Sequence, residues 1–194
     1  MIFKTVLALV GLAVIALGGL YAWGVSIPAT TKAERLVQFA ATPKQVYARI
    51  SDVRGQEEWR GDIGKVEISG DGQRWTEFPH DGSTLSFRLV ESRPAAAFAI
   101  AYRSSLGFEG RWRVRLEPMG NGTQGQFVEE VTIPNPFLRA IGRLASPPGQ
   151  HLDLYLKDLR RVTGSRWRSA ADRGRNGAVC GRSAFAKRTS DCRH

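Results

Sequence analysis

The chain has 194 residues, only two of them cysteine, and a formal net charge of +10 at pH 7. That length fits one domain of ordinary size plus appendages. Both cysteines, Cys180 and Cys192, lie near the C-terminus. The body of the chain is therefore excluded from cysteine-ligated zinc chemistry, thiol catalysis and disulfide dependence.

The first predicted element follows "MIFK". The run "TVLALVGLAVIALGGLYAWGV", residues 5–25, contains no charged side chain. As a helix it would span roughly 31 Å, about one hydrocarbon core. Tyr21 and Trp23 near its end suit an interfacial aromatic anchor. A cleaved signal peptide is the alternative, but the run is longer than an h-region and "SIPATTKA" is a poor cleavage site. No polar face exists to suit a buried soluble helix. Lys4 and the N-terminal amine precede the span, while Glu34 offsets Lys32 and Arg35 after it. The positive-inside rule then leans towards a single-pass membrane protein with its domain on the non-cytoplasmic side. The expected organisation is an anchor over 1–28, a domain over 29–164 and a basic tail over 165–194.

Residues 33–39, "AERLVQF", read as a short strand. Thr42-Pro43 is a helix start, a capping hydroxyl followed by proline at the first helical position. Val46, Tyr47 and Ile50 then share one face of a short helix. "RGQEEWRGDI", residues 54–63, is polar apart from Trp59 and Ile63. It reads as a second short helical piece whose tryptophan plugs one end of the core. Period-two alternation follows through "IGKVEIS", "QRWTEF", "STLSFRLVES", "AAAFAIAYRS", "FEGRWRVRLE" and "TQGQFVEEVTI". Trp112, Val114 and Leu116 fall on one face, with Arg111, Arg113 and Arg115 on the other. Turn signals separate the runs. Six consecutive strands at hairpin spacing predict an antiparallel sheet with one wet face.

The last element is helical. Phe137, Leu138, Ile141 and Leu144 form one stripe. "SPPGQ" interrupts, with Ser146 as a cap, and Leu152, Leu156, Leu159 and Val162 form a second stripe, ending at Gly164. One helix is about 10 Å wide, whereas six strands cover about 29 Å. The sheet must curl around the helix, and a cavity between them is a natural outcome. The tail from Ser165 holds eight Lys/Arg against two Asp and shows no period, so it reads as disordered.

Residues 41–68 resemble the START-like superfamily of Bet v 1-like and polyketide cyclase/dehydrase-type (SRPBCC) domains. The positions that carry the likeness are Ala41, Pro43, Val46, Tyr47, Asp52, Trp59 and Val66. The likeness extends over about residues 33–163. It implies an α+β helix-grip fold, a curved antiparallel sheet wrapped around a long C-terminal helix, here preceded by one transmembrane helix. It also implies a range of activities, from lipid carriers to aromatase/cyclases.

Signals for catalysis are few. His80, His151 and His194 form no metal-ligating pair, no metal or other cofactor is implied, and no G-x-S-x-G elbow occurs. "GNGTQG" matches G-x-G-x-x-G but leads into a strand, so it reads as a hairpin turn. Glu129 and Glu130 are adjacent on the last strand, so one faces the interior if pairing is regular. An interior carboxylate has a raised pKa and can serve as acid or base, which makes Glu129 and Glu77 the catalytic candidates. The plainer alternative puts both Glu129 and Glu130 in water or against the arginine row. That row carries no interleaved aromatics, so no nucleic-acid partner is expected. The favoured reading is a membrane-tethered binding protein for a small hydrophobic, lipid-like ligand. Trp75, Phe87, Phe98, Ile100, Trp112, Leu138, Ile141, Leu152 and Leu156 would line its site. The alternatives are a cyclase/dehydrase-type enzyme, or a structural module whose core is filled by its own side chains.

Overall fold

The computed structural model describes residues 2–145 and 147–164. Ser146, expected as a cap, and the 165–194 tail with Cys180 and Cys192 lie outside them. Helix α1 (Ile2–Ser26) is followed by β1 (Thr30–Phe39), α2 (Pro43–Ser51) and a 3-10 turn (Arg54–Glu58). Then come β2 (Ile63–Ser69), β3 (Arg74–Pro79), β4 (Leu85–Arg93), β5 (Ala97–Ser104), β6 (Glu109–Met119) and β7 (Gly122–Thr132). Helices α3 (Pro136–Ala145) and α4 (Gln150–Thr163) close the chain.

The seven strands form one antiparallel sheet in the order β1-β7-β6-β5-β4-β3-β2. Consecutive hairpins build six of them, as the turn signals predict. β1 adds to β7, so β1 and β2 become opposite edges although they are neighbours in sequence. The segment 40–62 must therefore bridge the open end of the sheet. It does so through a cap that the sequence spells out. The Thr42 hydroxyl accepts from the Gln45 backbone N–H, and the Gln45 side chain accepts from Thr42 N–H, a reciprocal capping box. Val46 and Ile50 on the inner side of α2 are fully buried.

α4 lies against the interior face. Leu152, Leu156 and Leu159, spaced at helical repeats, are each about 1 % exposed or less. Polar contacts fix both ends of the helix. Arg35 on β1 donates to both Asp153 oxygens at 2.8 and 2.9 Å. At the other end Gly61 N–H donates to Asp158 at 3.1 Å, and Arg161 donates to the Trp59 carbonyl at 2.6 Å. Gly149, just before α4, has φ of 83°, and a Cβ there would come within 2.9 Å of the Ala33 Cβ. Glycine is needed on both counts. The sheet thus grips α4, giving the α+β helix-grip architecture. Trp59 is 5 % exposed and meets the Tyr155 ring edge-on at 5.5 Å, closing the end of this core.

The break at "SPPGQ" separates α3 from the long C-terminal helix α4, as expected, but the direction of α3 needs correction. α3 does not continue along the sheet but packs beside the last turns of α1, with the Tyr21 and Phe137 rings 5.2 Å apart. The side of the interior under α4 holds a cluster of the protein's own rings. Trp112 touches Tyr155 at 5.3 Å, Phe127 at 5.7 Å and Phe98 at 6.5 Å. Large aromatics thus take up part of the width that one helix does not cover.

Candidate functional site

β7 pairs without a register shift to both β1 and β6. Regular pleating then fixes which residues face inward. Thr123, Phe127 and Glu129 point to the interior, each 9 % exposed or less. Glu130 points outward, where Arg113 approaches it at 3.6 Å. The adjacent glutamates are thus split between the two faces, one inside and one paired to the arginine row.

Glu129 sits opposite Ala33 on β1 and Trp112 on β6. Its hydrogen-bond partner comes from farther away. The Tyr102 hydroxyl on β5 donates to Glu129 Oε1 at 3.0 Å, reaching across β6. Gly110 makes this possible. It is paired with Tyr102, and a Cβ at Gly110 would stand 2.4–2.8 Å from atoms of the Tyr102 ring. The missing side chain leaves a groove in which the ring lies. Burial raises the Glu129 carboxyl above its ordinary value, and the Tyr102 hydrogen bond opposes this only in part. His151, exposed at the start of α4, also acts to lower it, and Asp153 acts to raise it. Burial pushes the Tyr102 hydroxyl up as well, with the nearby Glu129 adding to the effect. Both groups are therefore biased towards their protonated forms.

Around this pair the cover is incomplete. Tyr102 contacts Phe87 at 5.5 Å, and Phe87, Leu85, Leu89, Ile100 and Tyr102 are all only half-buried. This β4–β5 part of the concave face is apolar, with one polar pair, Tyr102 of β5 and Glu129 of β7, at its border.

Glu77, the second candidate, is 2 % exposed and occupies a different setting. Trp75 Nε1–H donates to it at 3.1 Å and Arg60 Nη1 at 3.0 Å. Arg60 also grips Asp62 through two bonds, 3.1 and 2.7 Å, donates to Gln56, and stands 5.5 Å from the Tyr155 ring centre. Burial raises the Glu77 carboxyl, while Arg60 and the Trp75 N–H pull it down. With both oxygens engaged, Glu77 is a structural ion-pair partner.

Of the nine lining residues expected from the sequence, seven meet. Trp75, Phe98, Trp112, Leu152 and Leu156 are buried in the core, and Phe87 and Ile100 pack against it. Trp75 stacks on Phe87, 5.3 Å apart and 3° from parallel. Leu138 and Ile141 do not join them. They are 36 % and 51 % exposed on α3, away from the sheet–α4 interior, because α3 follows α1. Two open surface depressions, of about 540 and 600 Å³, flank β2 and the β2–β3 turn, and neither lies between sheet and α4. Among the described residues, no group of three or more His, Cys, Asp or Glu side chains is placed to hold a metal ion.

Three residues that matter here were not singled out by sequence reasoning. For Tyr102 the available signal is its alternation with Phe98 and Ile100, combined with a glycine at the paired position. Gly110 and Arg60 gave no signal of their own.

Residues 30–154 match the family model described as polyketide cyclase / dehydrase and lipid transport. The chain belongs to this family. The polyketide cyclase/dehydrase match begins at β1 and ends in the first turn of α4, so it covers the sheet, the segment 40–62 and α3, and leaves α1 outside. No curated protein matches the sequence. Solved structures share the fold at low identity. A START superfamily protein from Mycobacterium smegmatis aligns with a TM-score of 0.55 and 17% identity, covering 69% of this chain and 97% of that one. A norcoclaurine synthase point mutant from Thalictrum flavum, in complex with a transition-state analogue, gives 0.54 and 14%, with 69% and 94% covered. A protein from Chromobacterium violaceum gives 0.51 and 18%, with 71% and 98% covered. The polyketide cyclase/dehydrase domain of this chain therefore shares its fold with a START superfamily protein, in line with the likeness carried by residues 41–68.

Proposed function

We propose that this protein is a membrane-tethered binding protein for a small, mainly apolar ligand carrying one polar group. The ligand lies on the β4–β5 part of the concave face, and its polar group meets Tyr102 and Glu129. One observation carries this reading: a buried carboxyl with, among the described residues, a single protein hydrogen bond, bordering an apolar surface that α4 and α3 leave half-covered. Such a surface favours an apolar ligand by about 25 cal/mol for each Å² removed from water. The family, which includes lipid transport in its description, supports the ligand class. α1 supports the tether. It is long enough to cross a bilayer, with a mean hydropathy of 2.2 over its most apolar window and no part of that window buried. The weak charge bias around α1 favours the non-cytoplasmic side for the domain.

The test is mass spectrometry of organic extracts from the full chain purified in lipid nanodiscs. A stoichiometric apolar molecule should accompany the native protein and be lost when Gly110→Val displaces Tyr102. No bound or exchangeable apolar molecule in the native protein overturns the reading.

Catalysis at the same pair is the second reading. It is favoured by the raised Glu129 carboxyl within reach of a phenol, the setting of a general acid or base. Under it, Glu129→Gln abolishes turnover of the co-purifying molecule and leaves its binding intact.

A further inference from the structure

α3 is built inside out. At about 100° per residue, Phe137, Leu138, Ile141, Leu144 and Ala145 fall on one side of the helix and Arg139 and Arg143 on the other. An ordinary surface helix turns its apolar side to the protein. Here Leu138, Ile141 and Leu144 are 36 %, 51 % and 73 % exposed. Ala140 and Arg139 face the body instead: Ala140 is fully buried, Arg139 is half-buried and donates from Nη1 to the Ile27 carbonyl at 2.8 Å, and Arg143 is exposed.

The position of α3 explains this inversion. Its first residue, Pro136, lies so close to α1 that a Cβ on Gly24 would stand 2.0 Å from the Pro136 carbonyl oxygen. Phe137 packs on Tyr21. Tyr21 is five residues before the end of α1, which is about 7.5 Å along the helix axis. Amphipathic helices in a bilayer surface bury their apolar side to about 5–10 Å, the same depth. Leu138 also lies beside Gly107 in the β5–β6 turn, and that turn carries Leu106, 56 % exposed. The apolar surface thus runs without a break from α1 to α3 and on to this turn.

We propose that α3 is an interfacial helix, lying in the same bilayer that α1 crosses, with Leu138, Ile141 and Leu144 turned to the acyl chains. Leu106 enters beside them, while Arg139 holds the Ile27 carbonyl on the protein side and the exposed Arg143 reaches towards the headgroups. The occupant of this surface is lipid, because it continues the face of a helix that has no other suitable surroundings. The inference rests on the membrane-tethered reading of α1.

The test uses the full chain with Cys180→Ser and Cys192→Ser, carrying an environment-sensitive fluorophore on Leu144→Cys, Leu12→Cys or Glu117→Cys in separate samples. Each is placed in nanodiscs of phosphatidylcholine and phosphatidylglycerol, with and without spin-labelled acyl chains. The labels at 144 and 12 should emit to the blue and lose intensity to the spin-labelled lipid, and the label at 117 should do neither. Quenching at 12 with a water-like, unquenched label at 144 overturns the inference and leaves the tether standing. A blue-shifted label at 144 that the lipid does not quench means a protein surface, such as a second copy, covers α3, and also overturns it. An unquenched label at 12 overturns both readings.

Discussion

Two glutamates lie on the same interior face of one sheet, and their surroundings differ sharply. Glu77 on β3 has a cation, an indole N–H and a closed shell of Trp75, Arg60 and Tyr155. Glu129 on β7 has one phenol and a half-open apolar border. The first arrangement spends a carboxylate on holding the 3-10 segment against the sheet. The second leaves a carboxyl with unused hydrogen-bonding capacity in a place that burial favours keeping neutral. Burial alone does not mark a functional group; what matters is whether its partners are already supplied by the fold.

Substitution should separate the two sites. The largest effect is expected for Glu77→Ala. It strands the buried Arg60 with only Asp62 and Gln56, and breaking a buried pair in this way costs about 3–5 kcal/mol. A urea melt should show the loss with no change in slope. Gly110→Ala comes next. Its Cβ would overlap the Tyr102 ring, and overpacking of this kind costs about 1–3 kcal/mol. A crystal structure should show Tyr102 turned away from Glu129. An unmoved ring would break the account of the pair.

The smallest effect is expected for Glu129→Gln, and its sign is opposite. The folded-state pKa of Glu129 is raised, so the folded state holds the proton more tightly than the unfolded chain. Stability from this group is therefore greatest below the ordinary carboxylate pKa and falls as pH rises through the folded value. Glutamine removes that penalty while keeping an acceptor for Tyr102. The variant should gain stability at neutral pH, by less than about 1 kcal/mol, and show a flatter dependence above pH 5. Urea midpoints at pH 4 and pH 8 measure it. An unchanged difference between the two midpoints would mean that Glu129 is solvated like any surface carboxylate.

Much of the fold could be read directly because it rests on local rules. Thr42 and Pro43 set a cap, the period-two runs set six strands with "AERLVQF" as the seventh, and Trp59 in a polar segment indicated a plug. Glu129 could be placed once regular pairing was assumed. The Tyr102–Glu129 bond was not legible, because it depends on which glycine lies across a neighbouring strand, a matter of three-strand register. The role of α3 was hidden for a different reason. Periodicity showed that Phe137, Leu138, Ile141 and Leu144 share a face, but a stripe does not reveal what it meets. Reading it as core-facing followed the common case for soluble helices, and the proximity of α1 made this chain an exception.

The backbone contact of Gly24 with Pro136 has a mechanical consequence. Helix α1 is joined to β1 by only Ile27, Pro28 and Ala29, and α3 braces the junction from the side. With α1 as the proposed tether, this brace would set heading rather than reach: it would hold the domain at one angle to α1, and so the direction in which the concave face looks. A bulkier residue at position 24 would push the brace off and turn a fixed bracket into a swivel.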